Sequence, residues 1–291
     1  MLASNLPDID VVLWARSDAT YLLFHRGFTH SLLGLAVLPP LLAGALWWGL
    51  GRRTALGWWL LLCWAGASLH VLYDLFTSWG TMLLYPFSVD RLALDWIFIV
   101  DLATWVLPAA ALAVAWRRPV RSSAAAVGFL GGMALYAALS GLAHDAVRRS
   151  VVEAEGEGGR PVAEAYALPL PFAPLRWQAI AVAPASAPEP RIARYRAAGV
   201  PPRLGTPERI ERGFDDPWAR RALATREGQA YLWWAVVPVA RVEVGSDTAR
   251  VTLSDLRFHR TIVPTAEGQG PFSLRFDFDP RAASLRDVEW R

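Results

Sequence analysis

The chain has 291 residues, 54% of them hydrophobic, with 15 Trp, 29 basic against 26 acidic side chains and one cysteine. A net charge of +3 gives a nucleic-acid partner no bulk electrostatic support, and a single thiol excludes both an intrachain disulfide and a zinc–thiolate cluster. A mean hydropathy of +0.27 is high for a water-soluble protein, and it is uneven: apolar residues concentrate before His144 and charged ones after it.

That asymmetry predicts an α-helical membrane domain over residues 1–144 and an extracytoplasmic α+β domain over residues 145–291. Every basic residue is Arg, a bias that reads as codon usage rather than function. The N-terminus lacks the basic stretch and short apolar run of a secretory signal peptide. It opens instead on MLASNLPDID, where Pro7 starts a turn bearing Asp8 and Asp10. HRGFTHS follows at residues 25–31, with His25 and His30 five positions apart and Gly27 between them to allow a bend.

A membrane-spanning helix needs about 20 mostly apolar residues, and four segments qualify: 31–50, 55–76, 96–116 and 122–143. The first holds Pro39 and Pro40 and should kink. The last holds Gly131 and Gly132, which permit close helix packing. The loops GRRT (51–54) and RRPVR (117–121) are short and basic, so the positive-inside tendency places them in the cytoplasm. Counting crossings puts residues 1–30, the loop 78–95 and everything beyond His144 on the outer side. Asp8, Asp10, His25, His30, His70, Asp74, Asp95 and Asp101 then all fall near the outer leaflet.

In HVLYD, His70 and Asp74 are spaced i,i+4 and share a helix face. Imidazole and carboxylate groups gathered at one depth suit a divalent metal, Zn²⁺ first and Mn²⁺ or Fe²⁺ also. Such a site can activate water and polarise a scissile group. Each residue also has a plainer reading. A histidine at a membrane end is often interfacial, an Asp in a first turn is often a helix cap, and Asp101 can pair with Arg26 or Arg91. Ionisable groups inside spans are costly, which weighs toward function for Asp74 and Asp101. His144 reads as an interfacial anchor and His259 as part of a polar strand.

LPDID, HRGFTHS, HVLYDLFTSWGTMLLYPFS and DWIFIVD together resemble the YdjM-type family of membrane-bound, metal-dependent hydrolases of the bacterial inner membrane. The match is close over residues 1–110. It departs from the family in lacking a further opening helix with a Thr-His pair. The resemblance implies that Asp8, Asp10, His25, His30, His70 and Asp74 are metal ligands, with Asp101 a further member. The family's distant similarity to zinc-dependent phospholipase C and nuclease folds implies phosphoester chemistry.

In the C-terminal part, EAEGEGGR reads as a turn or hairpin tip and residues 183–190 as a loop. Residues 206–227 read as helical, and YLWWAVVPVARVEV, ARVTLSDLRF and FSLRFDFD as strands of an antiparallel sheet. PLPFAPLRW could lie at the membrane interface, and Arg176 and Arg257 could receive an anionic head group or simply be salt-bridged.

The leading expectation is a metal-dependent hydrolase acting at the outer leaflet on an ester or phosphodiester of a lipid or lipid-linked substrate. Asp10 or Asp101 would be general base and Arg26 would hold either a carboxylate or an anionic substrate. The alternative is a non-catalytic membrane protein with a structural or sensing metal site and an outer interaction domain. An ion transporter is disfavoured, since polar residues do not continue to the inner ends of the spans.

Overall fold

A computed structural model of the chain describes residues 1–52, 54–187, 192–258 and 272–290. They form two compact units, Met1–Leu94 and Asp95–Arg291. The expected boundary after His144 falls inside a continuous helix instead. His259 lies outside the described residues.

In the first unit, a 3-10 helix Pro7–Ala15 precedes α1 (Asp18–Phe24). A short 3-10 turn Phe28–His30 then leads into α2 (Leu32–Gly49), capped by the Ser31 hydroxyl, which accepts from the Gly34 amide. A Cβ on Gly34 would lie 2.0 Å from the Phe28 carbonyl oxygen, so only glycine lets α2 start this close under the turn. α3 (Leu56–Phe76) packs against α2. The loop beyond α3 folds back onto the HRGFTHS segment: the Met82 amide donates to the Arg26 carbonyl and the Leu32 amide to the Leu83 carbonyl.

In the second unit, α4 (Leu102–Arg117) and α5 (Ser122–Glu157) are joined by a tight basic turn. The span expected from residue 96 begins as helix only at Leu102, because Asp101 is its N-cap and accepts from the Ala103 amide at 2.8 Å. Among the described residues, three helices are long and apolar enough to cross a membrane: α2, α3 and the segment Pro119–Glu157 that contains α5. α4, at 16 residues, is shorter. Large apolar side chains such as Leu41 (65%), Leu62 (60%) and Leu112 (68%) are exposed along these helices, as lipid-facing residues are. Arg52 stacks 5.0 Å from both the Trp47 and Trp48 rings, a basic–aromatic cluster suited to a membrane interface.

α5 changes character along its length. Its C-terminal part presents Ala143, Val147 and Val151, at i,i+4,i+8, to a sheet of small residues including Ala179, Ala181 and Ala193. EAEGEGGR is therefore not a hairpin tip; α5 runs on through Gly156 to Glu157 and stops only at Gly158, ahead of Gly159 at φ +69°. The sheet is antiparallel, ordered β1 (Glu164–Leu170), β2 (Ala173–Val182), β3 (Ile192–Ala198), β4 (Arg203–Leu204), with β5 (Glu208–Ile210) also pairing β3. PLPFAPLRW is the β1–β2 hairpin of this sheet.

Two helices follow, α6 (Pro217–Leu223) and α7 (Arg226–Trp234), so the helix expected over 206–227 starts later and takes in YLWW. Tyr231 and Trp234 sit at helical spacing on one buried face, which a strand could not provide. A second antiparallel sheet runs β6 (Pro238–Val244), β7 (Ala249–Asp255), β8 (Leu274–Phe278), β9 (Leu285–Trp290). Leu168, Ile180 and Ile192 of the first sheet share a core with Val237, Val239 and Leu256 beside the second.

Glu155, 3% exposed near the end of α5, accepts from Arg209 Nη1 at 2.7 Å, from Arg160 Nε at 2.7 Å and from the Tyr195 hydroxyl. Glu155→Ala leaves these donors facing each other, and we expect a loss of about 3 kcal/mol in the stability of this unit. Thermal unfolding of the full chain in detergent reads it out, and an unchanged midpoint would contradict the assignment.

Candidate metal centre

The first unit gathers six of the sequence-predicted residues. Asp8 and Asp10 come from the 3-10 helix opened by Pro7, His25 from the C-cap of α1, His30 from the 3-10 turn, and His70 and Asp74 from the last turns of α3. The chain turns sharply between the two histidines. Arg26 sits at φ +58°, and a Cβ on Gly27 would lie 2.7 Å from the Phe24 carbonyl oxygen. The bend expected at Gly27 is thus shared with Arg26.

Four ligand atoms form a ring. His30 Nε2 lies 3.4 Å from Asp8 Oδ1 and 3.2 Å from Asp74 Oδ2, while His70 Nε2 lies 3.4 Å and 3.3 Å from the same two oxygens. These separations are long for charge-assisted hydrogen bonds. His30 Nε2, His70 Nε2 and Asp74 Oδ2 are in fact buried without any hydrogen-bond partner. Buried polar atoms left unpaired are rare, and an ion is one of the few things that explains several aimed at one point. A centre equidistant from the ring atoms is about 2.0 Å from each if the ring puckers to a tetrahedron and about 2.3 Å if it is flat, which brackets zinc–nitrogen and zinc–oxygen bonds. The residues therefore fit a divalent ion.

Asp8 also belongs, with Asp10 and His25, to a second group whose ligand atoms lie within 4.8 Å of one another. Here Asp10 is heavily engaged. Its Oδ1 lies 2.9 Å from His25 Nδ1, and its Oδ2 accepts from the Arg26 amide at 3.0 Å and the Thr29 hydroxyl at 2.9 Å, with His30 Nδ1 at 3.5 Å. A carboxylate on the far nitrogen of a histidine fixes its tautomer and ring orientation for a metal.

Burial pushes the Asp10 carboxyl up, but hydrogen bonds from His25 and His30 outweigh it and hold the group well below the usual carboxylate range. Asp8 is held low in the same way by His30 and His70. Burial opposes a charge on His30, yet the Asp10, Asp74 and Asp8 carboxylates close around its ring nitrogens push it up to about 10.

Arg26 is 4% exposed and faces inward: Nη2 pairs with Asp74 Oδ1 at 2.8 Å and Nη1 donates to the Thr77 hydroxyl at 2.9 Å. It thus counters a carboxylate, one of the two roles expected for it. Arg91 donates to the carbonyls of Leu22, Leu23, His25 and Gly80, closing the end of α1. Thr29, Thr77 and Arg91 support the site although the sequence assigns none of them to it; Thr29 and Thr77 lie inside HRGFTHS and HVLYDLFTSWGTMLLYPFS, and Arg91 enters there only as a partner for Asp101.

Asp101 belongs to the second unit, where its Oδ2 accepts from the Tyr136 hydroxyl at 2.7 Å while Oδ1 caps α4. His144, also in that unit, is buried against Trp177, with Nδ1 3.0 Å from Asp145 Oδ1. Arg257 is fully used: its Nε donates to Asp255 Oδ2 at 2.8 Å and its guanidinium stacks on Trp234.

A family model described as YdjM inner membrane protein matches residues 1–147, the stretch that contains every residue of the ring. The chain belongs to this family. The uncharacterized protein YfhP of Bacillus subtilis (strain 168) is 33% identical over 114 residues, covering 39% of this chain. The chain spans 35% of that relative's length. No solved structure matches.

In this YdjM-family chain, a metal bound at the ring would compete with a proton on His30, whose surrounding carboxylates favour its charged form. Without metal, the charged His30 contributes stability fully below pH 6.5, its ordinary value, and loses it as pH rises through about 10. Between those limits a metal competes with the proton, so apparent affinity should rise about tenfold per pH unit for each proton released. Zinc titrations at pH 7 and 8 measure this, and equal affinities would contradict it.

Proposed function

We propose that the chain is a multi-pass, metal-dependent hydrolase of the bacterial inner membrane, using zinc to cleave an ester or phosphodiester in a lipid or lipid-linked substrate at the outer leaflet. The observation that carries this reading is the ring itself, with three buried ligand atoms that have no other partner. Asp8, His30, His70 and Asp74 hold the ion, and Asp8, Asp10 and His25 form a second set able to hold another. A divalent ion there supplies a Lewis acid that activates water and polarises the scissile group.

The chain's own residues do the rest. The Asp8 side chain is 45% exposed, so it forms the open wall through which water and substrate arrive. His30, fully buried, closes the opposite wall. Asp10 orients His25 and His30, and with only the ring metallated the Asp10–His25 pair is the proton acceptor. Asp101, committed to a helix cap and to Tyr136, takes no part.

An apolar groove of about 480 Å³, lined by Leu13, Phe24, Phe28 and Tyr85, has Asp10 and Thr29 in its wall, which supports a substrate with a hydrocarbon portion. The basic loops after α2 and α4 support four spans with the metal centre and the C-terminal domain extracytoplasmic.

One observation favours the alternative, a structural or sensing site: four protein ligands can close a zinc shell. Turnover separates the two. The purified full chain, zinc-loaded in lipid-containing micelles, should hydrolyse a chromogenic ester or phosphodiester, be silenced by chelator, and lose activity in His70→Ala. Full zinc occupancy with no turnover on either substrate class would favour the structural role.

A further inference from the structure

The second unit carries a basic cavity that owes nothing to the metal centre. On β2 and β3, Gln178 stands opposite Arg196, Ile180 opposite Arg194, and Arg176 opposite Ala198. Cross-strand partners share a face and residues two apart along a strand share it too. Arg176, Gln178, Arg194 and Arg196 therefore all project from the face turned away from α5. They line a cavity of about 490 Å³, joined by Thr206 and Glu208.

Three guanidinium groups face one carboxylate in this lining, an excess of two positive charges. Arg194 is buried, its side chain 8% exposed, and its Nη2 holds Glu208 at 2.5 Å. Its Nη1 is buried with no hydrogen-bond partner. Arg176 and Arg196 are exposed and make no ion pair among the described residues. Like charges gathered on one face repel, and an unpaired buried guanidinium nitrogen is costly, so this arrangement calls for an anion.

We propose that this cavity binds a phosphomonoester group. A phosphate monoester carries close to two negative charges near neutral pH and offers three acceptor oxygens, matching the charge excess and the forked donors of several arginines. The cavity is far larger than a bare phosphate and falls in the range of pockets that take small molecules, so the phosphate belongs to a larger body. That body is either a lipid head group or a soluble phosphate ester. The Gln178 amide is already held by the Leu256 carbonyl at 2.6 Å, which fixes the floor between the arginines.

The test is calorimetric titration of the full chain in neutral detergent with glycerol 3-phosphate. Saturable binding is expected, with acetate at least tenfold weaker. Arg196→Gln and Arg176→Gln, both at exposed positions that leave the fold intact, should each weaken binding about tenfold, and Arg194→Gln should abolish it. His70→Ala should bind as the unaltered chain does, which separates this site from the metal centre. Competition by phosphatidic acid in nanodiscs, but not by phosphatidylcholine, assigns the lipid source; its failure to compete assigns the soluble ester. Absence of binding, equal binding of acetate, or affinities unchanged in Arg196→Gln and Arg176→Gln would overturn the proposal.

Discussion

His70→Ala should lower zinc affinity by more than about 100-fold while leaving the first unit folded. Altering a residue that only orients a metal ligand costs about 10- to 100-fold, and removing a ligand costs more. His70 is the cleanest position for this test. Its side chain is 19% exposed, its Nε2 has no other hydrogen-bond partner, and it lies within α3 rather than at either cap. Removing it takes away one ring atom. Asp74→Ala tests the same ring less cleanly, because it also strips Arg26 of its carboxylate; Asp74→Asn keeps the shape and removes only the charge. Metal content after dialysis, measured by mass spectrometry, should fall in both His70→Ala and Asp74→Asn. Content unchanged in both would remove the ring as the binding site.

Arg26→Ala should destabilise the metal-free chain by about 3–5 kcal/mol and the zinc-loaded chain by clearly less. Without metal, Arg26 is the only arginine on the Asp74 carboxylate among the described residues, and both side chains are about 5% exposed. Deleting it takes the closest cation from a buried carboxylate and leaves only the His30 and His70 rings, 3.2 and 3.3 Å from Oδ2, against its charge. A bound divalent ion supplies compensating charge to the same carboxylate, so zinc should rescue much of the loss. Backbone strain does not confuse the comparison: at φ +58° alanine and arginine meet the same left-handed conformation. Arg26→Lys should fall between, since a point charge cannot span Asp74 and the Thr77 hydroxyl as the guanidinium fork does. Unfolding midpoints with and without zinc check this; equal losses in the two states would contradict it.

The ring was readable because its parts are local patterns. Pro7 with Asp8, the close pair of histidines in HRGFTHS, and the i,i+4 pair His70–Asp74 each advertise a turn or a helix face, and the fold of the first unit brings them together. What was not readable depends on distant partners. Nothing near Arg26 announces a carboxylate 48 residues away, so its inward pairing could only stand as one option of two. Asp101 resembled a misplaced charge because its helix was expected to begin at residue 96; once the helix begins at Leu102, the same Asp is a cap.

In the C-terminal part, apolar richness in YLWW favoured a strand, while burial on one helical face decided otherwise. The change in composition near His144 was real but marks a change of environment along α5, with the helix itself continuous.

X-ray absorption of the zinc-loaded full chain tests the metal centre most directly. The ring predicts a first shell of nitrogen and oxygen only, with two imidazoles, falling to one in either His30→Ala or His70→Ala. A sulfur scatterer, which would point to Cys63, or an imidazole count unchanged in both variants would contradict it.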